Sequence, residues 1–255
     1  YVKLAPEFNP DKFDAVAWVA QAKRAGQKYI VITTKHHDGF CMFDSKLTDY
    51  KITNTPFGRD ICKELADECR KQGMKLGFYY SIMDWHHPDY VPVRKWERGK
   101  RSTEGADFDR YVDYMRGQLR ELMTGYGPIV TLWFDGVWEH KSPEDKKAFK
   151  EIIDMVRQLQ PNILVNDRAD IGGDYKTPEQ FIPATGVLDD EGRPAMWEVC
   201  MTMTTGHGSF PPTGWWGYDK NETVFKPTEE LLHKLVDVVS KGGNFLLNVG
   251  PEPSG

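Results

Sequence analysis

The chain alternates between helix-type and strand-type segments along nearly its whole length, and this alternation limits the possible folds more than any other feature. Amphipathic stretches are followed, again and again, by short continuous apolar runs that are typical of buried strands. These runs are KYIVITT, MKLGFYYS, PIVTLWFD, NILVND, MWEVCM and NFLLNVG. Repeated βα units with buried strands predict a parallel sheet of about six strands with helices packed against it.

The segments between the predicted strands carry helix signals at their ends. Gly26 and Gly73 follow two stretches with helical periodicity, and glycine commonly ends a helix. Ser142 and Pro143 open another stretch as an N-cap followed by the first helical residue. The sequence therefore predicts a helix before most of the strands.

Polar and ionisable residues gather just where the predicted strands end. They are Lys35 to Asp38, Ser81 with Asp84 and Trp85 beyond it, Asp135, Asn166 to Arg168, and Asn248. A (β/α)8 barrel builds its active site at the C-terminal ends of its strands. A doubly wound sheet would also suit the alternation, but no Gly-rich phosphate loop follows an early strand. The sequence thus favours a barrel of the (β/α)8 class.

Asp135 is the residue whose position most needs an explanation. The run TLWF consists of strand-forming residues up to Phe134. The next two residues are the carboxylate Asp135 and Gly136. A carboxylate at the end of a buried strand is costly unless something outside the strand uses it. Trp133 is two residues earlier, so its side chain is expected on the same face of the strand as Asp135.

The pair His36 and His37 follows the first predicted strand. Neighbouring residues on a strand point to opposite faces, so the two rings could share one metal only if the strand ended between them. Their spacing matches neither a His-x-His nor a helical His-x-x-x-His metal site. Polar substrate binding is the favoured interpretation, while metal ligation and a structural hydrogen bond stay open. Tyr79 and Tyr80 are likewise expected on opposite faces of the next strand.

A second candidate acid, Glu179, follows Asp135 by 44 residues, with Arg168 between them. The two carboxylates therefore lie on different elements and can meet only through folding. Two carboxylates at one barrel mouth, with aromatic walls and histidine donors, suit glycoside hydrolysis, in which one is the nucleophile and the other protonates the leaving oxygen.

Charge and hydropathy disfavour some classes of partner. A net charge of −5 disfavours nucleic acid or an anionic membrane as a partner. No apolar run approaches the roughly 18 residues of a membrane span, and no signal segment opens the chain. A signal that had been removed would leave no trace, so export stays open. The four cysteines have no metal-binding spacing.

Six motifs together resemble the catalytic domain of the α-L-fucosidases, glycoside hydrolase family 29. They are TTKHHDGF, FYYS with DW beyond it, LWFDG, VNDR, YKTPEQ and GNFLLNVGPEP, in the family's order. The resemblance implies that Asp135 is the nucleophile and that Glu179 is the acid/base. It also implies a fucose site that is formed by His36, His37, Tyr79, Trp133 and Arg168. Fallback positions for the acid/base are Glu139, Asp170, Asp174 and Glu198.

The resemblance implies a retaining fucosidase that acts on fucosylated glycans and needs no metal or organic cofactor. An inactive fucose- or glycan-binding barrel is the alternative, and a metal-dependent barrel hydrolase is a third hypothesis. For a glycan-degrading enzyme, secretion or a periplasmic location would be suitable.

The sequence also departs from the family at both ends. No strand of the form Phe-Gly-x-Phe-x-His-Trp-Gly precedes Lys3, and the chain stops at GPEPSG, before the final barrel elements of the family. The expectation is a single catalytic barrel domain over residues 1–255, as a segment of a longer domain that lacks its first strand and its last elements here.

Overall fold

The computed structural model describes residues 2–189, 191–205 and 214–255. The chain divides into two compact units, Tyr1–Gly172 and Gly173–Gly255. Within the described residues the elements run in the order α1 (Ala15–Arg24), β1 (Tyr29–Lys35), α2 (Ile61–Gln72), β2 (Lys75–Ser81), α3 (Phe108–Gly125), β3 (Thr131–Asp135), α4 (Pro143–Leu159), β4 (Leu164–Val165), β5 (Glu198–Thr202), α5 (Thr228–Ser240) and β6 (Asn244–Asn248), with 3₁₀ helices at Val2–Glu7 and Ile52–Asn54. The predicted alternation is confirmed.

In the first unit the strands form one parallel sheet in the order β1-β2-β3-β4. The order in the sheet is the order in the chain, and helices α2, α3 and α4 make the successive connections. The register pairs Tyr79 with Trp133 and Ser81 with Asp135. Because parallel strands all point the same way, their C-terminal ends meet at one edge, which is where the polar residues were found in the sequence.

Two helices of the first unit have an end at a residue that the sequence marks: α2 ends at Gly73 and α4 begins after Ser142. The Asp60 carboxylate accepts a hydrogen bond from the Lys63 backbone N–H at the start of α2, and Gly73 ends that helix at φ 70°. Ser142 and Asp145 form a capping box at the start of α4. These local signals satisfy backbone groups that a helix end otherwise leaves unpaired.

The core of the first unit lies between the sheet and its helices. The strand residues Phe78, Leu132 and Phe134 are buried, and so is Leu65 on the facing side of α2. The four cysteines are free thiols, and all are buried. The core therefore holds the strands rigidly, so that their C-terminal ends are fixed points from which side chains project.

The second unit has its own two-stranded parallel sheet. Strand β5 pairs with β6 from Glu198 opposite Asn244 to Thr202 opposite Asn248, and α5 lies between the two strands in sequence. Trp197, Val199, Met201 and Val238 form its small core. In the part of the chain that the structure describes, no helix is long and apolar enough to cross a membrane.

Candidate active site

Asp135 is the last residue of β3, and its side chain is 14% exposed at the edge of the sheet. Gly136 follows at φ 81°, and a Cβ atom there would come within 2.8 Å of the Met83 Cβ and 3.1 Å of the His37 Cε1. Both the left-handed backbone and the crowding favour glycine at this position. The strand therefore turns sharply after Asp135, which leaves the carboxylate at the mouth of the sheet.

Three side chains from other strand ends face the two carboxylate oxygens of Asp135. The Tyr79 hydroxyl donates a 2.8 Å hydrogen bond to Oδ2, and Arg168 Nη1 donates to Oδ1 at 3.4 Å. His37 Nε2 lies 3.8 Å from Oδ2. A donor on each oxygen fixes the plane of the carboxylate.

Planar side chains stack in a row beside this carboxylate. The Tyr79 and Trp133 rings lie 5.6 Å apart at 20°, and the His36 ring stacks on Tyr79 at 5.5 Å and 14°. The Arg168 guanidinium lies 4.5 Å from the centre of the Trp133 ring. The row follows from the strand register, because Tyr79 and Trp133 are directly opposite on β2 and β3. Tyr80 points the other way, into the core, as predicted.

The sequence left open whether the first strand continues through His36 and His37, and the structure shows that it does not. Strand β1 ends at Lys35, before both histidines. A turn follows, and the two ring centres lie only 4.1 Å apart. Because the alternation of faces holds only within a strand, both rings can approach the same site. A clear signal was available in the following residues, since Asp38 and Gly39 favour a turn.

The environment of His37 defines its protonation. The Ser81 hydroxyl donates to the Met83 carbonyl at 2.7 Å, so its oxygen accepts from His37 Nδ1 at 2.6 Å. Burial, with help from the neighbouring His36 and Lys35, lowers the pKa of His37 from 6.5 to about 2. The ring is therefore neutral with its proton on Nδ1, and Nε2 presents a lone pair beside Asp135.

A buried ion pair lies behind the part of the site that contains His37. Lys35 Nζ donates to Asp84 Oδ2 at 3.0 Å and to the Tyr111 hydroxyl at 2.9 Å, and the first two groups are at most 1% exposed. Asp84 Oδ1 accepts the backbone N–H groups of His86 and His87, both at 2.8 Å. The pair thus joins the end of β1 to the loop after β2, which carries Met83.

The structure brings together six of the seven predicted site residues, namely Asp135, His36, His37, Tyr79, Trp133 and Arg168, all within the first unit. Glu179 belongs to the second unit, where it is exposed and forms a parallel bridge with Cys200.

The fallback acids have different surroundings. Glu139 forms a close ion pair with Arg94, and Asp170 pairs with Lys146 at 3.1 Å. Glu198 is buried at the start of β5, while Asp174 is partly buried. None of these contacts assigns the acid/base.

Sequence reasoning missed two supporting residues. Ser81 was noted only as a polar strand end, yet it sets the tautomer of His37. The Asn166 side chain accepts from the Phe134 N–H and donates to the Phe134 carbonyl, both at 2.9 Å. It therefore fixes the residue immediately before Asp135. Both contacts join residues more than 30 positions apart, so no local pattern could predict them.

The described residues hold no group of three or more His, Cys, Asp or Glu side chains arranged to bind a metal ion. The chemistry that this site itself offers is a fixed carboxylate, a neutral imidazole acceptor, guanidinium and hydroxyl donors, and flat aromatic faces. That set suits a polyhydroxylated ligand with a reacting carbon near Asp135.

The chain is similar to known proteins along its whole length. The model of the family described as Alpha-L-fucosidase matches residues 1–255. The α-L-fucosidase of Dictyostelium discoideum is 31% identical, and the tissue α-L-fucosidase of Homo sapiens is 30% identical; the match covers all of this chain and 53% and 52% of theirs. The chain thus spans about half the length of these curated relatives.

Solved structures show the same likeness. α-L-Fucosidase isoenzyme 1 from Paenibacillus thiaminolyticus superposes with a TM-score of 0.87 at 44% identity, covering 99% of this chain and 61% of that one. A family 29 α-L-fucosidase from Bacteroides thetaiotaomicron, solved as a trapped covalent intermediate, gives a TM-score of 0.84 at 34% identity. The match covers 100% of this chain and 59% of that one. The fold is therefore of the (β/α)8-barrel class, as predicted, and this chain spans part of such a barrel. The match of the family model over the whole chain shows that this protein belongs to the α-L-fucosidase family, glycoside hydrolase family 29.

Proposed function

We propose that the chain is the catalytic part of a retaining α-L-fucosidase, which releases terminal α-L-fucosyl residues from glycans by two successive displacements. The observation that carries the proposal is the Asp135 carboxylate at the end of β3, held by Tyr79 on one oxygen and by Arg168 on the other. A family 29 relative has been solved as a trapped covalent intermediate, as this mechanism requires.

In the first step Asp135 attacks the anomeric carbon, and the bond to the leaving oxygen breaks. The carboxylate becomes an ester of fucose, and the leaving oxygen takes a proton from the acid/base. Glu179 is proposed for that second role. In the second step it removes a proton from water, which attacks the anomeric carbon and returns Asp135 to its free form.

The remaining side chains would hold the sugar. His37 Nε2, which carries no proton, can accept a hydrogen bond from a sugar hydroxyl, while Arg168 can only donate. His36 and the Trp133 face complete the clamp. Acceptors and donors that are already fixed by the protein make binding less costly in entropy than mobile ones would.

Covalent labelling tests the proposal. The full-length protein, incubated with 2-fluoro-fucosyl fluoride, should gain one fluorofucosyl group on the peptide that contains Asp135, as mass spectrometry of a digest would show. The electron-withdrawing fluorine at C2 slows both steps, but the fluoride leaving group keeps the first step fast enough to proceed. The ester therefore forms faster than water removes it, and it accumulates. Asp135→Asn should remain unlabelled. A wild-type protein that binds fucose but gains no label would instead support the glycan-binding alternative.

A further inference from the structure

Two half-exposed tryptophans lie beside the candidate site, outside the residues that would hold fucose. Trp96 is 50% exposed and Trp138 is 49% exposed. The Arg94 guanidinium lies 4.9 Å from the centre of the Trp96 ring and 5.1 Å from that of Trp138. We call these three residues the outer platform. Large aromatic rings that are left in water and grouped together mark a ligand surface more often than chance exposure does.

The outer platform is continuous with the candidate site through His37. The Trp138 ring meets the His37 ring edge-on at 5.5 Å, and His37 Nε2 lies 3.8 Å from Asp135 Oδ2. On the other side, Trp85 meets His37 at 5.8 Å and Trp96 at 5.9 Å. One imidazole ring therefore separates the outer platform from the carboxylate.

The platform side chains are held in place by the protein. Arg94 forms a close ion pair with Glu139, which lies next to Trp138 in the chain. The segment that carries Trp96 is tied down by Arg101, whose guanidinium donates 2.6 Å hydrogen bonds to the carbonyls of His87 and Tyr90. Aromatic faces that are already ordered lose little entropy when a flat ligand stacks on them.

The chemistry of the platform fits a sugar ring better than a peptide or an anion. An indole face covers the C–H face of a pyranose, while the Arg94 N–H groups can donate to its hydroxyls. Within the described residues the indole N–H groups of Trp96 and Trp138 have no protein acceptor, so they too can donate to hydroxyls. Glu139 offsets the charge of Arg94, which leaves little attraction for an anion.

We propose that the outer platform binds the sugar from which fucose is removed, a pyranose that stacks on Trp96 and Trp138 in the leaving-group position. This inference rests on the proposed fucosidase activity and adds a subsite to it. It predicts that the enzyme distinguishes substrates by the ring that carries the fucose, and that this discrimination is separable from attack by Asp135.

Two substrates with different leaving groups test the subsite. α-L-Fucosyl fluoride has no leaving sugar, whereas Fucα(1,6)GlcNAc and other fucosyl disaccharides place a pyranose in the leaving-group position. The experiment uses the disaccharide that the wild type cleaves fastest. Trp96→Ala should lower kcat/KM for that disaccharide by about 10-fold, the effect of one lost aromatic stacking partner. The loss should fall mainly on KM, and fucosyl fluoride should be affected less than twofold. Trp96→Phe, which keeps a ring face, should retain most of the disaccharide activity.

The outcomes separate this inference from the proposed function. A wild type that turns over neither substrate contradicts the fucosidase proposal. In that case saturation-transfer NMR with free N-acetylglucosamine tests the outer platform alone. The wild type should give a signal, and Trp96→Ala should not. Equal losses on both substrates, or no loss on either, overturn the subsite.

Discussion

At the scale of single residues, the candidate site depends on how three side chains surround one carboxylate. Tyr79 and Arg168 each donate to a different oxygen of Asp135, while His37 offers no proton to it. The site is therefore asymmetric: two donors fix the carboxylate, and a neutral acceptor beside it stays available for a hydroxyl.

The hydrogen bond from Tyr79 should matter for turnover rather than for folding. Tyr79→Phe leaves Oδ2 of Asp135 without its donor, and a hydrogen bond to a charged group contributes about 1.5–3 kcal/mol. We expect kcat/KM to fall about 10- to 100-fold, measured with an aryl α-L-fucoside. Tyr126→Phe is the matched control, since Tyr126 donates to the Asp60 carboxylate at 2.7 Å, away from the site. Equal losses of activity in both variants would contradict a positioning role.

His37 should make the stability of the fold depend on pH. Its folded pKa of about 2 lies below the ordinary value of 6.5, so the stabilisation from a neutral ring is complete above pH 6.5 and is lost as pH falls from 6.5 toward 2. Between pH 7 and 5 the wild type should lose about 2 kcal/mol of unfolding free energy from this group.

His37→Asn keeps a donor toward Ser81 but cannot titrate, so its loss over that pH range should be smaller by about 2 kcal/mol. Urea unfolding at pH 7, 6 and 5 measures the difference. Parallel pH curves for the two proteins would show that His37 accepts a proton in the folded state.

At the scale of elements, the buried pair Lys35 and Asp84 joins the end of β1 to the loop that follows β2. Lys35 also lies 4.5 Å over the Tyr80 ring. This pair fixes the loop that carries Met83, and Met83 in turn accepts the Ser81 hydroxyl that orients His37. The buried ion pair thus fixes the loop that positions Ser81 and His37 in the site.

A double-mutant cycle should reveal the coupling between these two residues. Lys35→Met leaves a buried carboxylate without its cation, at a cost of about 3–5 kcal/mol. Asp84→Asn leaves a buried cation but keeps an acceptor for the loop N–H groups. The double variant should be less destabilised than the sum of the two single variants, because it buries no lone charge. Strictly additive losses, measured by urea unfolding, would mean that the pair is not coupled.

At the scale of the whole molecule, the two proposed catalytic carboxylates belong to different units: Asp135 to Tyr1–Gly172 and Glu179 to Gly173–Gly255. A retaining mechanism requires carboxyl groups about 5–5.5 Å apart. Because Asp135 and Glu179 belong to different units, the role of Glu179 stays a prediction. The single domain over residues 1–255 also stays a prediction.

Leaving-group chemistry can test Glu179 in the full-length protein. For a natural glycan, Glu179→Ala should lower kcat by about 10²–10⁴-fold, the usual contribution of general acid catalysis. An activated aryl fucoside needs no proton to depart, so its first step should survive in part and the fucosyl-enzyme should accumulate.

Added azide needs no general base and should restore turnover of the aryl substrate, giving fucosyl azide of retained configuration. Asp135→Ala is the control, and azide should not form that product from it. An equal loss on both substrates without azide rescue would exclude Glu179 and return attention to Glu139, Asp170, Asp174 and Glu198.

Local sequence was sufficient to predict the alternation of helices and strands, the parallel arrangement of the strands, and the edge of the sheet that carries the site. Each of these depends on short-range periodicity and on caps such as Ser142, or on the rule that parallel strands end together. Asp135 could be identified because a carboxylate that ends an apolar strand is costly unless it is used.

The family resemblance implied which residues form the site, but only the tertiary structure decided which oxygen of Asp135 each side chain contacts and in what protonation state. Tyr79 and Arg168 lie 56 and 33 residues from Asp135 in the chain. The turn that brings the ring centres of His36 and His37 to 4.1 Å from each other begins after Lys35, where β1 ends. The neutral state of His37 depends on burial and on Ser81, 44 residues away. Contacts at such separations arise from packing of the whole sheet, which no local pattern encodes.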